Sequence, residues 1–268
     1  MHSCGQLCGR TDLIRPNRTD LNNNLYREVI EMKIGIIGAM DLEIETLTQK
    51  EMTSEEIISK AGLTFHAGKL GSTEVVIVKS GIGKVNAAIC AQILIDCFGI
   101  THLINTGIAG SLNHNINIGD IVISTDAMYH DFDISALGYE PGVIPELGTP
   151  HYLKYFSADP ALRASAAAIC REVLPEIGLH EGRVVSGDQF ISTAEQKHHI
   201  ADSYQGLCTE MEGAAIAHTA HVNNIPFVIL RAISDKADEE ADVSFEVFEH
   251  EAAENCAKLT AHMVRSLS

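Results

Sequence analysis

From residue 32 onward the chain alternates short, wholly apolar runs with longer stretches of helical spacing, and this alternation limits the fold more than anything else in it. Residues 33–37 form one such run, closed by Gly38. Residues 41–49 follow, with apolar Leu42, Ile44 and Leu47 at helical intervals. Residues 64–70 and 74–79 read as two strands joined through Gly71-Ser72, the pattern of a hairpin. Residues 85–98 read as a helix ended by Gly99, which suits a left-handed C-cap. Further strands are expected at 101–105, 120–124, 183–186 and 226–232, and helices at 160–174, 213–222 and 244–266. Short strands without polar alternation must be covered on both faces. The expected class is therefore α/β, with helices on either side of a sheet that the hairpin makes mixed.

Residues 1–31 are different text: polar, Asn-rich, aperiodic and without the apolar stretch of a signal peptide. They are expected to be a disordered or loosely attached N-terminal extension, and residues 32–268 a single domain. Acidic side chains outnumber basic ones 36 to 19, a formal charge of −17. That excess repels nucleic-acid backbone and anionic lipid, so neither is expected as a partner. The longest apolar runs, such as 34–40 and 226–230, are too short to cross a bilayer. The seven cysteines include no CxxC pair and fit small buried hydrophobes in a reducing compartment, which implies a cytoplasmic protein.

Ligands of open α/β sheets sit beyond the carboxyl ends of the strands, so the residues after each strand carry the functional signal. Those are Gly38-Ala39-Met40 with Asp41 and Glu43, then Ser80-Gly81-Ile82-Gly83-Lys84, then Thr106-Gly107-Ile108-Ala109-Gly110. Ser186-Gly187-Asp188 leads to Gln189-Phe190-Ile191, Glu210-Met211-Glu212 opens a helix, and Arg231 to Asp235 ends the last strand. Small residues and carboxylates converge on one rim. Each acid alone also suits a structural role at a helix start or turn. Arg231 does not, because a guanidinium ending an apolar strand needs a carboxylate or a ligand. No GxGxxG, no GxxxxGK[ST] and no GxSxG pattern is present. Tyr129-His130-Asp131-Phe132-Asp133 and the pair His218, His221 lack the remaining ligands of a metal site, so no metal is expected. His198-His199 reads as a solvated helix face.

The segments MKIGIIGAMDLEIE, KSGIGKVNAA, INTGIAGSL, GDIVIS, YHDFDISALGY, VSGDQFI, EMEGAAIAH and PFVILRAISDKAD stand in one order and spacing. In both they resemble the 5′-methylthioadenosine/S-adenosylhomocysteine nucleosidases of the purine nucleoside phosphorylase superfamily. The resemblance runs from Met32 to about Ser266. It implies a three-layer αβα sandwich with a mixed central sheet, nucleoside phosphorylase-like, in a homodimer. It implies hydrolysis of methylthioadenosine, S-adenosylhomocysteine and 5′-deoxyadenosine to release adenine, with no cofactor. By resemblance Glu43 activates water, Glu212 binds the ribose hydroxyls between Met40 and Met211, and Asp235 meets adenine, supported by Ser234 and Arg231. Phe190 and Ile191 hold the base, and Ile82 and Phe245 wall the 5′-thio pocket. Ile134, Leu137 and Pro145 reach that pocket from the neighbouring subunit. Two departures stand out: Ile108 replaces a serine frequent near the attacking water, and Leu137 replaces a frequent aromatic.

The chemistry suits this cast. Cleaving an N-ribosidic bond leaves an oxocarbenium-like sugar and an anionic base, so a proton donor is needed at adenine. Asp235 can donate only if its pKa is raised well above about 4. Water attacks the opposite face of the sugar, where Glu43 as carboxylate takes its proton, and Glu212 offers charge to the developing cation. A phosphorylase of the same fold would need cations around phosphate. The glycine turns carry Lys84 but no arginine cluster, and Glu43 would repel phosphate. Aminodeoxyfutalosine is an alternative substrate, and a catalytically silent nucleoside-binding protein an alternative class.

Overall fold

The computed structural model of the chain describes residues 31–238 and 241–267, so the expected extension at residues 1–30 lies outside the described residues. The strands are β1 (Lys33–Gly38), β2 (Thr53–Lys60), β3 (Leu63–Leu70), β4 (Thr73–Lys79), β5 (His102–Ser111), β6 (Ile121–Tyr129), β7 (Ile144–Pro145), β8 (Tyr152–Leu153), β9 (Phe156–Ser157), β10 (Leu179–Ser186), β11 (Cys208–Glu210) and β12 (Phe227–Asp235). The helices are α1 (Asp41–Thr46), α2 (Lys84–Phe98), α3 (Pro160–Val173), α4 (Ala194–Tyr204), α5 (Gly213–Asn223) and α6 (Ala241–Ser266).

The main sheet runs β11-β10-β6-β12-β5-β1-β4-β3-β2, with β9 beside β6. It is mixed, as the sequence implies: β3 pairs antiparallel with β4, but β1 is parallel to both β4 and β5. β11 is parallel to β10 and also pairs antiparallel with β5, so β5, β12, β6, β10 and β11 close into a ring. That closure folds β11 back against the ends of β5 and β12.

Why the sheet needs two helical covers is visible residue by residue. Ile34 and Ile36 of β1 and Val228 and Leu230 of β12 are buried with α3 and α6 residues such as Leu162 and Ala257. The next residues along, Ile37 of β1 and Phe227 and Ile229 of β12, are buried with α2 and α5 residues such as Leu94 and Ile216. Successive side chains enter opposite layers, so the run is apolar throughout. Each fully buried Ile or Leu contributes about 1.5–3 kcal/mol.

The expected strands and helices are present, with differences at their ends. β2 has no counterpart in the sequence reading: its residues are almost all exposed at the sheet edge, so no apolar pattern marks it. α4 is likewise additional, and His198 and His199 lie on its exposed face. The expected helix over 41–49 is α1 followed by a wider π-helical turn, Leu47–Glu51. Gly99 ends α2 at φ 63°, the expected left-handed cap. The largest difference is functional. Residues 106–110 and 233–235 belong to the strands themselves and are not turns beyond them.

Candidate active site

Glu43 is set by the end of β1. The chain turns at Ala39-Met40 and enters α1, and Glu43 in its first turn folds back onto the turn that precedes it. One carboxylate oxygen, Oε2, accepts from the Ala39 N–H at 2.5 Å and the Met40 N–H at 3.0 Å. The other, Oε1, accepts from the Ile108 N–H of β5 at 3.0 Å. The structural reading of this acid, a cap for the helix start, is therefore correct and incomplete. A Cβ on Gly107 would land on Oε1, so glycine there admits the carboxylate to the edge of β5. Burial raises the Glu43 pKa, opposed by the Arg231 charge and the three N–H groups.

Arg231 of β12 is buried at 2% exposure and has the carboxylate partner its position demands. That partner is Glu210 at the end of β11, 2.5 Å away. Arg231 also donates to the Asn105 side chain at 2.5 Å and to the Leu230 carbonyl at 2.9 Å. Burial pulls its pKa down, but Glu210 and Glu43 outweigh that, so it stays charged. Glu210 in turn accepts from the Ser186 hydroxyl and from the N–H groups of Glu212 and Gly213 at 3.1 and 2.8 Å. The sequence reading gave Glu210 no part. Its signal was there, in the unpaired charge of Arg231.

Those bonds fix the turn from β11 into α5, and the turn aims Glu212. This acid is 6% exposed and accepts from the Gly83 N–H at 2.7 Å. Gly83 sits at φ 99°, a conformation that favours glycine. Burial, then the neighbouring Glu210 charge, push the Glu212 pKa up to about 8.

Asp235 ends β12 at 3% exposure. Its Oδ2 accepts from the Ser234 hydroxyl at 2.8 Å and its Oδ1 from the Ala237 N–H at 2.8 Å. Burial raises its pKa against both bonds. The three acids face one cleft of about 110 Å³, whose wall also includes Met40, Ile82, Phe190, Met211, Ser234 and Phe245. Phe190 meets Phe245 edge-on, ring centroids 5.8 Å apart. An inner lobe adds Ile191. Arg231 stands behind this wall and does not line it.

The phosphorylase superfamily model matches residues 33–265. A 5′-methylthioadenosine/S-adenosylhomocysteine nucleosidase of an Exiguobacterium species is 42% identical over 242 residues, which is 88% of this chain and 99% of that protein. The chain belongs to this nucleosidase family. The solved Neisseria meningitidis nucleosidase in complex with methylthio-immucillin-A matches at 38% identity and TM-score 0.82, over 87% of this chain and 99% of that one. A futalosine hydrolase of Helicobacter pylori matches at 34% identity and TM-score 0.80, over 88% and 98%. The expected fold, an αβα sandwich of nucleoside phosphorylase type, is the one observed.

Within this member of the nucleosidase family, Ile108 meets Glu43 through its backbone N–H, and the residue both borders the cleft and belongs to the core cluster that includes α3 and α6 residues. Its main chain thus holds the acid whatever the side chain is. Ile134, Leu137 and Pro145 do not line the cleft of their own chain. Leu137 is 74% exposed. Pro145 borders a separate apolar depression with Val85, Ile89, Tyr129 and Phe132. No cluster of metal-ligating side chains is present among the described residues, and no described helix is long and apolar enough to cross a membrane.

Proposed function

We propose that this protein hydrolyses the N-ribosidic bond of 5′-methylthioadenosine and S-adenosylhomocysteine, and of 5′-deoxyadenosine, to release adenine. The observation that carries it is one cleft ringed by three buried carboxylates in different surroundings, with the buried cation Arg231 neutralised behind the wall by Glu210. Asp235, its pKa raised by burial, is the acid that protonates adenine as the bond breaks. Glu43, oriented by three N–H groups, takes the proton of the attacking water, and burial makes it a stronger base. Glu212 accepts from the ribose hydroxyls, bonds that favour its ionised form and its charge beside the sugar cation. Phe190 and Ile191 hold the base, and Met40, Met211, Ile82 and Phe245 wall the sugar and the 5′-thio group.

Assembly and setting belong to the same reading. The apolar depression beside Pro145 and the exposed Val85, Ile89, Leu137 and Leu147 form a surface suited to a second copy of the chain. In that homodimer Ile134, Leu137 and Pro145 close the partner's 5′ pocket. The five free cysteines among the described residues, four of them buried, fit a cytoplasmic protein. The activity is assigned to residues 32–268, because the family match begins at Lys33. A chain starting at Met32 is expected to keep its turnover and its melting temperature.

The experiment is adenine release from methylthioadenosine, assayed with and without phosphate. Release at the same rate in both supports hydrolysis, and release that depends on phosphate overturns it in favour of a phosphorylase. Likeness to the futalosine hydrolase supports a second substrate, aminodeoxyfutalosine, through the same acids. Comparison of kcat/KM for the two substrates ranks them.

A further inference from the structure

One polar group in the cleft wall has no use in this mechanism. Thr209 is the middle residue of β11, with its Cα opposite Gly110 of β5 and Val185 of β10. Side chains alternate along a strand, so Cys208 and Glu210 take one face and Thr209 the other. Cys208 goes into the core between sheet and α5, while Thr209 and Glu210 both border the cleft. The residue is 5% exposed, and its Oγ1 is buried with no hydrogen-bond partner among the described residues. Valine has nearly the same shape without the hydroxyl. A buried hydroxyl left unpaired is a cost that valine would avoid.

The position of Thr209 narrows what its partner can be. The inner lobe it lines, about 30 Å³, is shared with Gly110, Phe190, Ile191, Met211 and Asp235. Glu43 and Ile82 border only the wider part of the cleft. Thr209 therefore stands beside the residues assigned to the base and to the adjoining face of the sugar, away from Glu43 and Ile82. A threonine hydroxyl rotates to donate to a ring nitrogen or to accept from an amino group.

We propose that Thr209 is a specificity-determining residue whose hydroxyl hydrogen-bonds the purine base in the inner lobe. This rests on the reading of the cleft as an adenosine-cleaving site. In the empty protein the hydroxyl is a cost, and in the complex it is a contact. Removing it therefore has opposite effects on the two states. A residue with a purely structural role would not split them in this way.

The test uses Thr209→Val and Thr209→Ser in the full chain, with adenine as the calorimetric ligand and methylthioadenosine as substrate. Thr209→Val is expected to weaken adenine binding about fivefold to tenfold. KM should rise by the same factor, with kcat changed less than about threefold. The melting temperature of the free protein should not fall, and Thr209→Ser should bind adenine within about twofold of the parent. Adenine affinity unchanged in Thr209→Val overturns the proposal. If that variant does not fold, the parent crystallised with adenine decides. An Oγ1 within about 3.2 Å of a base nitrogen supports the contact, and one beyond about 3.5 Å from every base nitrogen overturns it. A parent that binds adenine through Thr209 but releases none from methylthioadenosine sinks the reaction assigned above and leaves the base contact standing.

Discussion

The two ends of the cleft are built differently. At the chemical end Glu43, Glu212 and Asp235 are each 6% exposed or less. Glu43 and Asp235 have both carboxylate oxygens bonded to groups fixed by the sheet and its turns. At the other end Ile82 is 54% exposed. The acids proposed to do the chemistry are held within one chain by strand ends and the turns that follow them, oriented before substrate arrives. The walls assigned above to the 5′ group are the exposed ones, and in the proposed dimer a second copy covers them. Substitutions at the first end should act on kcat, and those at the second on KM.

The largest expected effects are at the three acids. Asp235→Asn cannot give adenine a proton, and Glu43→Gln cannot take one from water. Each should lower single-turnover cleavage of methylthioadenosine at least about a hundredfold while a non-cleavable analogue still binds. Glu212→Gln should damage both steps, because it loses charged bonds to the ribose hydroxyls as well as the charge beside the sugar. Near-normal turnover in Glu43→Gln would show that water is activated elsewhere, and the division between the two ends would fail at its base.

Gly107→Ala is a subtler probe of the same end. The added methyl meets the Glu43 carboxylate and needs no unusual backbone angle, since Gly107 is not among the positive-φ glycines. It should displace the acid while sparing the strand. A kcat loss of about tenfold to a hundredfold is expected, with KM and melting temperature nearly unchanged. A large fall in melting temperature instead would mean that the glycine serves β5 packing.

At the open end, Leu137→Asp puts a charge on a side chain that is 74% exposed in the single chain. If a second copy covers it, KM for methylthioadenosine should rise about tenfold, kcat should hold, and the mass in solution should shift from dimer toward monomer. A parent that is monomeric at micromolar concentration with full activity would remove the reason for the open end altogether.

How much of this was legible in the sequence follows the same divide. The layers were readable because strands buried on both faces leave continuous apolar runs, as at Ile34–Ile37 and Phe227–Leu230. The rim of acids was readable because carboxylates follow strands there. What the spacing hid was the reach of the strands. The glycines at 107 and 110 look like turn residues, yet they lie within β5, where they give room to Glu43 and Asp235. Glu210 was hidden because pairing it with Arg231 needs the fold-back of β11 onto β5 and β12, a contact between distant segments. β2 left no trace, since an exposed edge strand such as Thr53–Lys60 carries no burial pattern.

The last effect is one on stability, and it sharpens what the buried end costs. Burial and the Glu210 charge raise the Glu212 pKa to about 8 in the folded protein, whereas in the unfolded chain a glutamate titrates near about 4.3. Below the unfolded value both states hold the proton, and the group costs nothing. As pH rises past it the unfolded chain releases the proton and the folded one keeps it, so the unfolded state binds fewer protons and stability falls. The fall continues until the folded group also ionises, near pH 8. Glutamine at 212 is neutral in both states and can still accept from the Gly83 N–H. The melting temperature of Glu212→Gln minus that of the parent should therefore widen steadily between pH 5 and 8, by roughly 10 °C at about 1.4 kcal/mol per pH unit and about 2–4 °C per kcal/mol. The raised pKa of Asp235 remains in both proteins and cancels in the difference, whereas Glu43, whose charge acts on Glu212, cancels in part. A difference that stays flat across that range would mean that Glu212 is ionised in the free cleft, and that its ribose contacts form without a change in its protonation.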